Sequence, residues 1–335
     1  MLKKMKWMAA VGMTSALLLA GCGSDEAGSD SSNGGEKDQE ATTYKVGVTQ
    51  IAEHPSLDAA YDGFKKALAD EGLEVDYDLQ IAQGDANNNI SIAQNFVGDG
   101  VDLIFANSTP SAQSALNATK DIPIVFTSVT DAVGAELVKS MENTEGNVTG
   151  TLDNHPEAIP NTVKFIDEQF EGKTVGLVYN SGEQNSIAQI KMVKEAGKNT
   201  DLEFVEATVS TTAEVKQATE SLIGKADVIY IITDNTVVSG LDAVIMVANE
   251  NDIPLFVGEL DSVAKGGFAA YGFDYADIGY EAGVMAAQIL KGEKQPSELP
   301  VQYPQNLKLV INKKAAEEMN IELKEEWDSL AEYLD

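Results

Sequence analysis

The chain states one plan twice. The run Lys173-Thr174-Val175-Gly176-Leu177-Val178 echoes Tyr44-Lys45-Val46-Gly47-Val48-Thr49. Asp227-Val228-Ile229-Tyr230-Ile231-Ile232 echoes Asp102-Leu103-Ile104-Phe105-Ala106. Asp252-Ile253-Pro254-Leu255-Phe256-Val257 echoes Asp121-Ile122-Pro123-Ile124-Val125-Phe126. From Gly47 to Asp102 is 55 residues, and from Gly176 to Asp227 is 51. One such echo means little; three in the same order argue for two similar lobes. In the first copy, short apolar runs at 46–49, 79–82, 102–106 and 122–126 read as strands. Between them lie helical stretches at 56–70, 90–97 and 111–118, with a short one after Ala132. The longest carries Leu57, Ala60, Phe64, Ala67 and Leu68 at helical spacing. Apolar strands alternating with helices predict an α/β fold of two doubly wound lobes, each a parallel sheet covered on both faces. Loops beyond the carboxyl ends of such strands are where ligands bind, so facing lobes enclose a cleft.

The first residues have a separate purpose. Lys3, Lys4 and Lys6 precede an apolar run from Met8 to Ala20, which ends in Leu19-Ala20-Gly21-Cys22. A basic start, a short apolar middle and small residues at the end make a signal peptide. The run is shorter than the roughly 18–20 residues that span a bilayer. Leu-Ala-Gly-Cys matches the bacterial lipobox, with cleavage before Cys22 and lipid (palmitate among the acyl chains) on that cysteine. Residues 23–43, rich in Gly, Ser, Asp and Glu, read as a flexible tether.

Composition removes several function classes. A net charge of −31 makes nucleic acid and anionic lipid heads poor partners. The sequence holds no arginine, so the bidentate clamp for carboxylate or phosphate is missing. Cys22 is the one cysteine, which leaves no thiol for catalysis, disulfide or metal. His54 and His155 are the two histidines and are not at ligand spacing, so no metal site is expected. Gly172-Lys173-Thr174 lacks the first glycine of a phosphate loop, since position 167 is Asp. No catalytic triad motif is found. The chain reads as a binder rather than an enzyme, with no cofactor, and a monomer is expected.

The loops at the strand ends occur in a recognisable order. They include His54-Pro55-Ser56-Leu57-Asp58, Gln83-Gly84-Asp85, Ser108-Thr109-Pro110-Ser111-Ala112-Gln113 and Thr127-Ser128-Val129-Thr130-Asp131. Asn147-Val148-Thr149-Gly150, the run from Tyr179 to Ser186, and Thr233-Asp234-Asn235-Thr236-Val237 follow. From about Tyr44 to Leu323 the chain resembles the ABC-transporter substrate-binding lipoproteins that include tryptophan- and tyrosine-type binders. The resemblance implies a type I periplasmic-binding-protein fold with three crossovers, an aromatic amino acid as the best ligand class, and a permease with its ATPase as partners. On that plan lobe one takes 44–151 plus 273–303, and lobe two 152–272 plus 304–323. The family's usual end near Ile321 leaves 324–335 as an acidic, amphipathic extension, expected to pack as a helix.

Each candidate ligand residue has a plain structural alternative. Ser108 and Thr109 end a strand and open a helix: a carboxylate seat, or a cap alone. Thr127 and Ser128 supply hydroxyls beside them. Asn180, Glu183 and Asn185, with Ser186, line the second lobe's first loop or cap its helix. Asp234 would pair with an α-ammonium or cap the next helix; Asn235 and Thr236 stand alongside, and Glu259 is its rival for the ammonium. Gln50 and His54 follow the first strand, with Gln83 and Asp85 supporting. Tyr271 and Phe273 stack on a ligand ring or pack in the core, and His155 is a crossover or surface residue. The expected protein is lipid-anchored, outside the cell membrane, and closes its two lobes on a small ligand. A sugar or nucleoside ligand, or a role presenting ligand to a signalling partner, are the alternatives.

Overall fold

The computed structural model describes residues 42–171 and 173–335. The predicted lipid site at Cys22 and its tether lie outside the described residues. The first lobe runs β1 (Thr43–Gln50), α1 (Pro55–Asp70), β2 (Glu74–Ile81), α2 (Ala86–Asp99), β3 (Leu103–Asn107), α3 (Thr109–Ala118), β4 (Ile124–Val129) and β5 (Val148–Leu152). These strands form a wholly parallel sheet in the order β2-β1-β3-β4-β5. The second lobe runs α4 (Ala158–Gln169), β6 (Thr174–Asn180), α5 (Gln184–Ala196), β7 (Glu203–Val209), α6 (Val215–Glu220), β8 (Val228–Ile231), α7 (Asn235–Ser239), α8 (Leu241–Glu250), β9 (Leu255–Val257), α9 (Leu260–Lys265) and β10 (Ala269–Gly272). Then come α10 (Tyr275–Leu290), β11 (Lys308–Asn312), α11 (Lys313–Glu318) and β12 (Ala331–Leu334). The second sheet is ordered β7-β6-β8-β9-β10-β11-β12, the same winding with two strands added. Only the β10–β11 pair is antiparallel.

The sequence echoes are explained by matching bonds in the two sheets. Asp102 Oδ2 accepts from the Lys45 backbone N–H at 2.7 Å. Its counterpart Asp227 Oδ2 accepts from those of Lys173 and Thr174, both at 3.0 Å. Each aspartate thereby ties the start of its lobe's first strand to the start of the third.

Strand alternation sorts side chains to two layers of core. Val46, Val48, Leu103 and Phe105 pack with α1 and α10, while Ile104, Ala106, Ile124 and Phe126 face the other side. Helix α10 belongs to the first lobe although it follows β10: it lies against α1 at a very close crossing. A Cβ added to Gly279 would stand 1.9 Å from the Ala60 carbonyl oxygen, and one on Gly63 2.1 Å from that of Ala276. The chain therefore passes between the sheets three times, after β5, after β10 and before β11. On the last pass Gln302 still bridges to Thr151 beside β5.

Three local expectations need correction. Residues after Ala132 form successive turns rather than a helix. Strand β2 begins at Glu74, earlier than the apolar run, because an edge strand needs only Val75 and Tyr77 turned inward. Residues 324–335 form a 3-10 turn (Glu325–Ser329) and β12, which pairs parallel with β11. The turn exists to bury Trp327, which is 1% exposed among Phe165, Phe170 and Phe268.

Candidate functional site

The carboxyl ends of both sheets converge on the gap between the lobes. Five of the candidate residues occupy one kind of position there, the residue just before a helix: His54 before α1, Ser108 before α3, Glu183 before α5, Asp234 before α7 and Glu259 before α9. Capping and ligand binding make different demands on these side chains, and the structure divides them. Ser108 Oγ accepts from the Ser111 backbone N–H at 3.3 Å, and Asp234 Oδ1 from that of Val237 at 2.8 Å. His54, Glu183 and Glu259 make no such bond, and their side chains turn elsewhere.

Asp234 is fully occupied inside its own lobe. Its Oδ2 accepts from the Asn180 backbone N–H and from Ser186 Oγ, both at 2.6 Å. Burial raises its pKa, and the negative charge of Glu183 adds to that rise. Glu183 is the hub of the second lobe. Its Oε1 takes Thr236 Oγ1 at 2.7 Å, the Thr236 backbone N–H at 3.3 Å and Asn180 Nδ2 at 3.4 Å. Its Oε2 takes Asn235 Nδ2 at 2.6 Å and Asn185 Nδ2 at 3.2 Å. Every one of these donors is neutral.

The first-lobe wall is a chain of bonds between strand ends. Ser128 Oγ donates to Asn107 Oδ1 at 2.8 Å, Asn107 Nδ2 to Gln50 Oε1 at 3.0 Å, and Gln50 Nε2 to Asp58 Oδ1 at 2.8 Å. Thr127 pairs with Thr151 at 2.8 Å, and Thr109 Oγ1 accepts from the Thr130 backbone N–H at 3.4 Å. Ser108 and Ser128 have φ of +131° and +56°, conformations that cost non-glycine residues energy and concentrate at functional sites.

Contacts then cross from lobe to lobe. Ser56 Oγ donates to Glu259 Oε2 at 2.9 Å, and Gln189 Nε2 to Thr130 Oγ1 at 3.1 Å. The His54 ring lies beside the Asn235 side chain. Burial lowers the His54 pKa to about 4 and raises that of Glu259 to about 7. Asp153, at the first passage between lobes, holds Thr130 at 3.1 Å and Tyr275 at 3.0 Å, and burial raises its pKa to about 6.

Several buried polar atoms here have no partner in the protein: His54 Nδ1, Asn185 Oδ1 and Asn89 Nδ2. Asn89 is 1% exposed, and its Oδ1 accepts from Thr49 and Ser111. Toward solvent the gap widens to a cavity of about 960 Å³ between Asn89, Ile90 and Gln113 of one lobe and Asn180, Glu183 and Gln184 of the other. Asn180 and Glu183 thus reach this open mouth, whereas Ser108, Asn185 and Glu259 lie deeper.

Other candidates stand apart. Gln83 is exposed, and Asp85 caps α2 through Asn87 at 2.7 Å. Tyr271 packs on Phe165 in the second core, and Phe273 stacks on Tyr275. His155 accepts from the Glu157 backbone N–H at 3.2 Å, a local turn bond. Sequence reasoning passed over Asn89, Ser56, Thr130, Gln189 and Asp153. Of these, Ser56 and Thr130 lie in loops that carry the family resemblance, and the Asn87-Asn88-Asn89 run at a helix start was the one other legible signal.

A family model described as ABC transporter substrate binding protein matches residues 45–333. The chain belongs to this family. The match runs past Ile321, so most of the C-terminal segment lies within the family's pattern rather than beyond it. This substrate-binding protein is 42% identical over 315 residues to a tyrosine-binding protein of Clostridioides difficile, covering 92% of this chain and 90% of that one. It superposes with a TM-score of 0.83 on an ABC domain from Streptococcus pneumonia in complex with L-Trp, at 33% identity over 88% of this chain and 100% of that one. With the ligand-free, open structure of a substrate-binding protein with adhesive properties from Clostridium difficile, identity is 40% over 87% and 99%, but the TM-score is 0.64. The better fit to the less identical, liganded relative agrees with the lobe-to-lobe bonds: this substrate-binding protein stands closed.

Proposed function

We propose that this chain is the lipid-anchored, extracytoplasmic solute-binding component of an ABC importer, and that its ligand is an aromatic amino acid. One observation carries the reading: a closed, polar gap between two lobes in which His54, Asn89 and Asn185 each keep an atom without a partner. Buried polar groups left unpaired cost about 1–3 kcal/mol each, so the arrangement suits a ligand that supplies the missing partners. The names of the tyrosine-binding relative and the L-Trp complex support the ligand class.

The α-carboxylate is assigned to the first lobe, where Asn89 Nδ2 and the start of α3 behind Ser108 offer donors without a formal positive charge. The two bonds between the lobes, Ser56–Glu259 and Gln189–Thr130, are worth only about 0.5–1.5 kcal/mol each. Burying Glu259 and His54 opposes them. The empty protein then favours the open form, and ligand biases the hinge toward the closed one, which a permease reads. The lipobox at Cys22 keeps this trap beside its permease.

Titration calorimetry on the full chain with L-tyrosine, L-tryptophan, L-phenylalanine, glucose and a nucleoside tests the ligand. Heat with the aromatic amino acids is expected. A response confined to sugar or nucleoside would refute the assignment.

A further inference from the structure

Running inward from Glu183 at the open mouth, four polar side chains adjoin one another across the gap. Glu183 Oε2 accepts from Asn235 Nδ2 at 2.6 Å and from Asn185 Nδ2 at 3.2 Å. Asn235 Nδ2 is committed to Glu183, and the His54 ring lies beside this amide. His54 Nδ1 has no partner in the protein; with the ring proton on Nε2 it is a lone-pair acceptor in the neutral ring. Burial keeps that ring neutral by holding its pKa near 4. Asn185 is settled in the same way: its Nδ2 faces Glu183, Ser186 and the Thr233 carbonyl, so the unpartnered Oδ1 is also an acceptor. His54 is 5% exposed and Asn185 3%.

The string is therefore lopsided. With the His54 proton on Nε2 it offers two free acceptors, gathered around a carboxylate whose five bonds all come from neutral groups. A buried anion without a cation is costly, and acceptors alone cannot satisfy a hydroxyl or a carboxylate that also needs donors. We propose that His54 Nδ1 and Asn185 Oδ1 receive the ligand's α-ammonium, with the Glu183 charge as its counter-ion, and that Asp234 only positions this loop. Three N–H donors meet two waiting acceptors and a field of the right sign. Asp234 lacks that freedom, because its oxygens already take Asn180, Ser186 and Val237. Glu259 is tied to Ser56 and Ser262 at 2.9 Å and acts as a lobe-to-lobe link.

This inference rests on the amino-acid reading above, and its test separates the two. Binding of L-tyrosine, L-tryptophan and their des-amino analogues, 3-(4-hydroxyphenyl)propionate and indole-3-propionate, is measured on the full chain and on Glu183→Gln, His54→Phe and His54→Gln. Glu183→Gln should weaken the amino acids roughly 10- to 100-fold, the range for a charge-assisted contact, and leave the analogues unchanged. His54→Phe should act in the same selective sense, and His54→Gln, which restores an acceptor, should recover part of the loss. Equal losses for amino acids and analogues, or none, would overturn the inference while leaving the amino-acid reading intact. If another amino acid binds better, it and its des-amino analogue replace the probes. Tighter binding of a neutral sugar than of any amine would sink both readings. A measurement on the unaltered chain guards against misfolded variants. With two histidines in the sequence, the 15N spectrum of the His54 ring is resolvable, and Nδ1 must shift to a hydrogen-bonded value with the amino acid but not with the analogue. An unchanged Nδ1 signal at saturation counts against the proposal.

Discussion

Ser56 Oγ donates to Glu259 Oε2 at 2.9 Å, joining the first turn of α1 in one lobe to the residue that precedes α9 in the other. The contact is buried, and Glu259 has no basic neighbour to offset its loss of water; the other carboxylate in reach, Asp261, raises its pKa further. The latch thus carries a titratable group at its centre.

Stability should depend on pH through this residue. The folded pKa of Glu259 is about 7 against an ordinary 4.5, so the folded state binds the extra proton. Its contribution is fully present below 4.5 and is lost as pH rises through 7. The span corresponds to a stability change on the order of 3 kcal/mol. Thermal unfolding of ligand-saturated protein from pH 4.5 to 8 should show wild-type Tm falling relative to Glu259→Gln; parallel curves for the two would contradict it.

His54 works with the opposite sign. Its folded pKa is about 4 against 6.5, so the stability it contributes is present above 6.5 and is lost as pH falls through 4. In His54→Gln the acid side of the Tm profile should flatten, with the alkaline side unchanged.

Gln189 reaches across to Thr130 at 3.1 Å while also holding Thr233 Oγ1 at 2.6 Å. Gln189→Ala removes a bond that exists only with the lobes together. Small-angle scattering at saturating ligand should show a larger open fraction, and affinity should drop about 5-fold, one hydrogen bond's worth.

The α1–α10 crossing admits no side chain at Gly279, whose Cβ would meet a carbonyl oxygen at 1.9 Å. Gly279→Val should cost about 3 kcal/mol or more, since backbone must move rather than a flexible side chain. Chemical denaturation would detect this as a lowered midpoint; a wild-type midpoint would show that the helices can part freely.

Trp327 fills the aromatic layer beneath β10 and donates Nε1–H to Gln169 Oε1 at 3.0 Å. Trp327→Ala should cost about 3–5 kcal/mol, measured in the same denaturation, with ligand selectivity retained.

Much of the fold was legible along the chain because strands buried on both faces leave an unbroken apolar signature. Val228-Ile229-Tyr230-Ile231 and Ile124-Val125-Phe126 announce themselves without context. The C-terminal segment did not, because Trp327 and Leu330 at helical spacing also suit a tight turn followed by an edge strand, and only the open side of β11 chooses between them. In the cleft, residue type and position marked His54, Glu183 and Asp234 as candidates alike. Their local setting is the same in sequence, a polar residue before a helix.

The sequence by itself determined the alternation of strand and helix, the doubling of the lobe, the Leu-Ala-Gly-Cys motif ending at Cys22, and a cleft without arginine or a free thiol, because each depends on neighbours a few residues apart or on composition alone. Tertiary structure decided which polar residues are spent and which remain available. Asp234 is used up by groups 54 and 48 positions away, Asn180 and Ser186. His54 and Asn185 each keep an unpartnered atom because their neighbours come from separate loops, and for His54 from the opposite lobe. Hydrogen-bonding capacity is finite and is divided among whatever the fold brings within 3 Å or so, and that division is not written in any local stretch of chain.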